Sequence, residues 1–185
     1  MNKNITKKVE IMTIAALLSA IGIVIPMIAP QIRIEPMSFT LASHVAIFIG
    51  MFISPLVAVI VALITSTGFF IAGFPLVVVI RALTHVLFAV VGSFMLKRNN
   101  MLLTSLKTSV PFALFISLIH AAAEVIAVYF YYVNMGNTIS PYVLYILVGI
   151  GTVVHSMIDF SIASFVWIPL QHVLTIPVNA KVRRL

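Results

Sequence analysis

Apolar runs separated by short polar breaks dominate this chain. The first run covers residues 11–29 and stops at a stretch, 30–36, that holds Arg33 and Glu35 between two prolines. A short second run, 40–53, ends at Ser54-Pro55, and a third covers 56–72. Gly73-Phe74-Pro75 is a turn signal, after which a fourth run covers 76–96. A polar, basic loop over 97–107 precedes the fifth run, 110–133. The turn residues Asn134-Met135-Gly136-Asn137 precede the sixth, 142–170, whose end Pro169 is expected to bend. A bilayer core takes about 20 apolar residues in helical form. The pattern therefore predicts an all-α integral membrane protein with six transmembrane helices. The first run lacks a small-residue cleavage pattern followed by a polar chain, so it reads as a helix rather than a signal peptide. The second, being short, is expected to lie tilted or partly re-entrant. No internal repeat or linker divides the chain, and 1–185 reads as one six-helix membrane domain.

Composition narrows the class. Of 185 residues 62% are hydrophobic and 8% charged, with mean hydropathy +1.22. An average soluble domain is about 45–50% apolar and about 25% charged, so a cytosolic enzyme, a disordered chain and a secreted disulfide scaffold are excluded. Cysteine is absent, which removes disulfides, thiolate metal sites, iron–sulfur clusters and cysteine nucleophiles. The net charge of +7 comes largely from three clusters: Lys3, Lys7 and Lys8; Lys97, Arg98 and Lys107; Lys181, Arg183 and Arg184. Each flanks an apolar run without interleaved aromatics, which argues against nucleic acid and for a topology signal. Six crossings put all three clusters on one face; five or seven would split them. The expectation is a multi-pass protein of a bacterial plasma membrane with both termini cytoplasmic, and the loops around Arg33, Phe74 and Asn134 outside.

Ionisable groups inside a membrane span cost about 2.5–3.5 kcal/mol each. Three helices carry them four residues apart: Arg81 with His85, His120 with Glu124, and His155 with Asp159. Positions i and i+4 share a helix face, so each helix has a polar stripe that must turn from lipid. At 1.5 Å per residue, Arg81 lies about 9 Å and Glu124 about 14 Å from the outer ends of their helices, so the two can meet. The same count puts Asp159 about 27 Å down, near the cytoplasmic side. Two readings of Arg81 and Glu124 stand together: a buried ion pair locking two helices, and a pocket where Arg81 meets an anionic ligand. His155 and Asp159 read as structural. His44, at the start of the second helix, is as consistent with packing as with a ligand contact. Tyr129, Tyr131, Tyr132 and Tyr142 crowd the outer ends as an aromatic belt, from which Tyr131 can turn inward; Asn134 follows in the turn. His120 and Glu124 look like half a metal site, but no HExxH, cysteine or third convergent partner is evident, so no metal or other cofactor is expected. The absence of a P-loop and of GxSxG leaves the chain without an ATPase or hydrolase motif of its own, and it reads as no enzyme. On the first helix, Ala16 and Ala20 make a small-xxx-small pair, with Gly22 nearby, where a helix can approach closely.

These features resemble the S components of energy-coupling factor (ECF) vitamin transporters. The likeness in architecture covers the whole chain. Its most distinctive stretches are FTLASH at 39–44 through FISP at 52–55, then GFP at 73–75 and RALTH at 81–85, and these look most like the niacin-type members. The resemblance implies a vitamin pocket near the outer face, gated by the loops around Arg33 and Gly73. It also implies association with a transmembrane coupling subunit and two ATPase subunits, and release of the vitamin inside by toppling in the membrane. Ala16 and Ala20 would contact the coupling subunit. Members that carry nickel or cobalt begin with a Met-His pair; this chain begins Met1-Asn2. For nicotinate, Arg81 would bind the carboxylate, His85 or His44 the ring nitrogen, and a tyrosine would stack on the ring, with Glu124, His120, Tyr131 and Asn134 completing the expected site. Pantothenate or another water-soluble vitamin is the alternative ligand. From a different class, the histidine stripes also fit a proton path in a stand-alone carrier or channel, or a purely structural subunit.

Overall fold

The apolar runs fold as helices in a computed structural model that describes residues 3–34, 37–174 and 176–182. Met1, Asn2, Glu35, Arg183 and Arg184 lie outside the described residues, as does the side chain of Arg33. The order is α1 (Lys3–Ile28), β1 (Gln31–Ile34), β2 (Met37–Thr40), α2 (Val45–Ile53), α3 (Pro55–Ile71), α4 (Leu76–Arg98) and α5 (Leu106–Asn134). A π-helix over Tyr142–Ile150 then runs directly into α6 (Gly151–Val173).

Among the described residues, four helical segments are long and apolar enough to cross a bilayer: α1, α4, α5, and the π-helix with α6. α3, at 17 residues, is shorter. The second predicted span needs correction. α2 has nine residues, a rise of about 14 Å against a hydrocarbon core of about 30 Å. It cannot cross alone, and all nine residues are buried. Residues 40–44 are drawn instead into the end of β2 and a turn where Ala42 has φ +65°, a left-handed conformation that costs a Cβ-bearing residue about 1–2 kcal/mol.

The predicted loop at 30–36 is part of an antiparallel hairpin, with Gln31 opposite Thr40 and Ile32 opposite Phe39. Strand residues alternate faces, so Gln31, Ser38 and Thr40 share one side. α2 and α3 are separated by Ser54, whose extended backbone stops one helix and whose hydroxyl accepts from the Val57 N–H at 3.3 Å, with Pro55 at the first helical position. α5 starts earlier than its apolar run because Ser105 caps it by accepting from the Lys107 N–H; Lys107 is thus helical rather than in the loop. α6 continues through Pro169 to Val173.

α4 packs between α3 and α5, and α2 lies against α1, α3, α4 and α6. The tail ties one end of the bundle. The N–H groups of Asn179 and Ala180 donate to the Phe52 carbonyl at 3.0 Å, and that of Lys181 to Asn100 at 3.1 Å. The ends of α2 and α4 therefore share this lower end, opposite the turn at 72–75. In its half of the bundle Phe48, Phe52, Phe88 and Trp167 are fully buried. Phe160 meets Phe48 and Phe52 edge-on, at 5.3 and 5.7 Å, an arrangement favoured by the ring quadrupoles. Leu63, Leu87, Phe94, Leu118 and Phe165 point outward and are exposed, as lipid-facing positions require.

Candidate functional site

The three polar stripes converge. Arg81 on α4 donates from Nη2 to Glu124 Oε2 on α5 at 3.0 Å, and Thr152 on α6 donates to the same oxygen at 2.6 Å. The other oxygen, Oε1, lies 3.5 Å from His85 Nε2 and 3.4 Å from His120 Nε2, out of line for hydrogen bonds. The pairing of Arg81 with Glu124 expected from their depths is present, and both side chains are buried.

Asp159 belongs to the same cluster. Its Oδ1 accepts from the Ala42 N–H at 2.8 Å; its Oδ2 accepts from the His44 N–H and from His44 Nδ1, each at 2.9 Å. The carboxylate thus fixes the strained turn before α2. The His44 ring lies 4.6 Å from that of His85, 4.7 Å from His120 and 4.9 Å from His155. The expectation that Asp159 sits remote from Arg81 and Glu124 fails for two reasons. α2 begins halfway down the bundle, carrying His44 to the level of Asp159. And nine residues before α6 are π-helical, with wider turns that advance less per residue than the α-helical count assumes.

Above this floor is a cavity of about 60 Å³ whose wall includes Arg81, His85, His44 and Glu124. A water needs about 10–15 Å³ by this measure, so the space suits roughly four to six waters or one small ring. His120 lies beneath it, fully buried. Tyr131, packed on Tyr132, and exposed Asn134 lie outside the lining. The aromatic wall is instead Phe69 stacked on Phe74, with ring centroids 4.7 Å apart. The hairpin contributes its polar side, Gln31, Ser38 and Thr40. Sequence reasoning passed over Thr65, another wall residue; its signal was the Thr65-Ser66-Thr67 run in an otherwise apolar helix.

Several buried atoms here have no hydrogen-bond partner among the described residues: Arg81 Nε, Thr65 Oγ1, and both ring nitrogens of His85 and of His120. Buried polar atoms are nearly always paired, so this concentration beside a cavity marks a site shaped for a polar guest. Buried charged groups that converge on a small pocket inside a multi-span helical bundle fit a membrane transport protein. The comparison with known proteins agrees. The chain is 35% identical over 164 residues, 85% of its own length and 74% of the other's, to the niacin transporter NiaX of Lactococcus lactis subsp. cremoris (strain MG1363), and it belongs to the NiaX family. No family model matches it, and no solved structure does.

Proposed function

We propose that this chain is the vitamin-binding S component of an ECF-type importer and that its vitamin is niacin, bound as nicotinate. The observation that carries this reading is Arg81. Glu124 holds the guanidinium through Nη2, while the buried Nε remains unpartnered in the cavity wall. A fixed guanidinium with donors left over suits a carboxylate, which it binds through charge-assisted hydrogen bonds. The Phe69–Phe74 wall suits a flat ring. The space equals about 120–180 Å³ of liquid water, which favours one small ring acid over the longer pantothenate. The NiaX relative is a niacin transporter.

In this reading the chain crosses the membrane six times with both termini cytoplasmic, α2 completing its crossing together with the hairpin. Lys97, Arg98, Lys107 and Lys181 then lie at the cytoplasmic end. Ala16 and Ala20 are exposed on α1, whereas Gly22 is buried against Thr65. The alanine pair is thus free for a transmembrane coupling subunit, which with two ATPase subunits would supply the energy. The competing reading, a stand-alone proton-coupled carrier, draws on the four clustered imidazoles and requires uptake into liposomes driven by a pH gradient alone.

The test is a thermal-unfolding titration of the detergent-purified protein with nicotinate, nicotinamide and pantothenate. Ligand at 100 times its Kd stabilises by about 2.7 kcal/mol, a rise of about 5–11 °C for a chain this size. A rise with nicotinate alone supports the reading, pantothenate alone changes the vitamin, and no response to any of the three overturns it.

A further inference from the structure

We infer that His44, His85 and His120 form a binding site for a divalent transition-metal ion at the floor of the cavity. The sequence showed no third partner for His120 and Glu124; the fold supplies two. One ligand atom from each of the three histidines lies within 4.8 Å of the other two, and all three residues are buried. An ion centred among atoms at that separation is at most about 2.8 Å from each, so a contraction of about 0.7 Å per ring reaches the usual zinc–imidazole distance of about 2.0–2.1 Å. Both nitrogens of His85 and of His120 have no hydrogen-bond partner among the described residues.

The surroundings are those of a metal site. Asp159 accepts a hydrogen bond from His44 Nδ1, which fixes the tautomer and leaves Nε2 as the donor atom, the arrangement in which a carboxylate orients a ligating histidine. Glu124 Oε1, 3.4–3.5 Å from two of the rings, stands where a carboxylate would buffer the ion's charge. Three imidazoles with a fourth position open toward a cavity suit Zn²⁺.

Charge balance points the same way. With the imidazoles neutral, the ionised groups are Arg81, Glu124 and Asp159: +1 − 1 − 1 = −1. That sum leaves Arg81 as the single positive group to hold a further buried carboxylate. A divalent ion raises it to +1, and a bound carboxylate then brings it to zero. This last role rests on the proposed niacin reading; the metal site itself does not.

The experiment is elemental analysis of the detergent-purified full chain, carrying no polyhistidine tag, after incubation with Zn²⁺ and removal of the excess. Addition of Co²⁺ to the metal-stripped wild type, read by visible d–d absorption, runs alongside. About one equivalent of zinc is expected, with an intense tetrahedral-type cobalt spectrum. Zinc should be lost in His85→Ala and His120→Ala and retained in His172→Ala, whose side chain is exposed on the last turn of α6. Asp159→Asn should weaken metal binding about 10–100-fold. The cobalt measurement needs no substitution, so it stands even where a histidine variant fails to fold. Zinc well below 0.1 equivalent without a cobalt spectrum overturns the inference, as does zinc that persists in folded His85→Ala and His120→Ala. Zinc bound through these histidines with no response to nicotinate retains the site and removes the niacin reading.

Discussion

Replacing Glu124 by glutamine separates the structural and binding roles of the Arg81–Glu124 pair. Side-chain exposure is 9% for Arg81 and 2% for Glu124, so solvent cannot take over the charge of either. Glutamine keeps one oxygen for Thr152 but removes the negative charge that balances the guanidinium. Leaving one member of a buried pair alone costs about 3–5 kcal/mol. At about 2–4 °C per kcal/mol for a chain this size, the unfolding temperature should fall by about 6–20 °C. Converting both members, as Arg81→Met with Glu124→Met, removes the stranded charge. That double variant should recover to within about 2 kcal/mol of wild type, the residual cost being the Thr152 hydroxyl left without its acceptor. It should nevertheless show no stabilisation by nicotinate, because the guanidinium is gone. The assay is thermal unfolding of wild type, Glu124→Gln, the two Met singles and the double variant in one detergent, with and without ligand. An unfolding temperature within 1 °C of wild type for Glu124→Gln, or a double variant as unstable as the sum of its singles, would refute this account.

Three further perturbations test separate parts of the structure. Thr65→Val deletes a buried hydroxyl that has no partner among the described residues; it should leave unliganded stability unchanged or slightly raised, and lower vitamin affinity about fivefold, the worth of about one hydrogen bond, by calorimetry. Ala42→Gly relieves the residue at φ +65° and should raise the unfolding temperature by the equivalent of about 0.5–1 kcal/mol, the strain removed less the added chain entropy; a lower unfolding temperature sinks the strain argument. Ala16→Leu with Ala20→Leu, both on the exposed face of α1, should leave vitamin binding by the purified chain intact while abolishing uptake by cells that carry the partner subunits; uptake at the wild-type rate would show that this face makes no essential contact.

The meeting of Arg81 and Glu124 was legible because both are short counts from well-marked turns on neighbouring helices. The i, i+4 spacing also identified the inward faces of α4, α5 and α6. Asp159 was misplaced because depth by residue count assumes uniform α-helix, and neither the π-helix at Tyr142–Ile150 nor the late start of α2 has a hydropathy signature. The hairpin carried its period of two, Gln-Ile-Arg-Ile and Met-Ser-Phe-Thr, but the prolines around it read as a loop. Tyrosines were favoured over Phe69 and Phe74 because they crowd the outer ends of the last two helices in the sequence. In the fold, the two phenylalanines sit where α3 and the following turn line the cavity, while Tyr131 packs on Tyr132 outside its lining.

The late start of α2 has a mechanical consequence. A solute that reaches His44 has travelled about half the thickness of the protein, and the other half is closed. Directly below that ring lie Phe48 and Phe88, then Phe52, Phe160 and Trp167, with Phe160 edge-on to Phe48 and Phe52 and the Trp167 indole donating to the Ala180 carbonyl of the tail at 3.2 Å. Opening a duct there would mean unseating five buried aromatic side chains. For an importer of the proposed kind, a cup with so solid a base would empty by moving as a whole rather than by opening a duct through its floor.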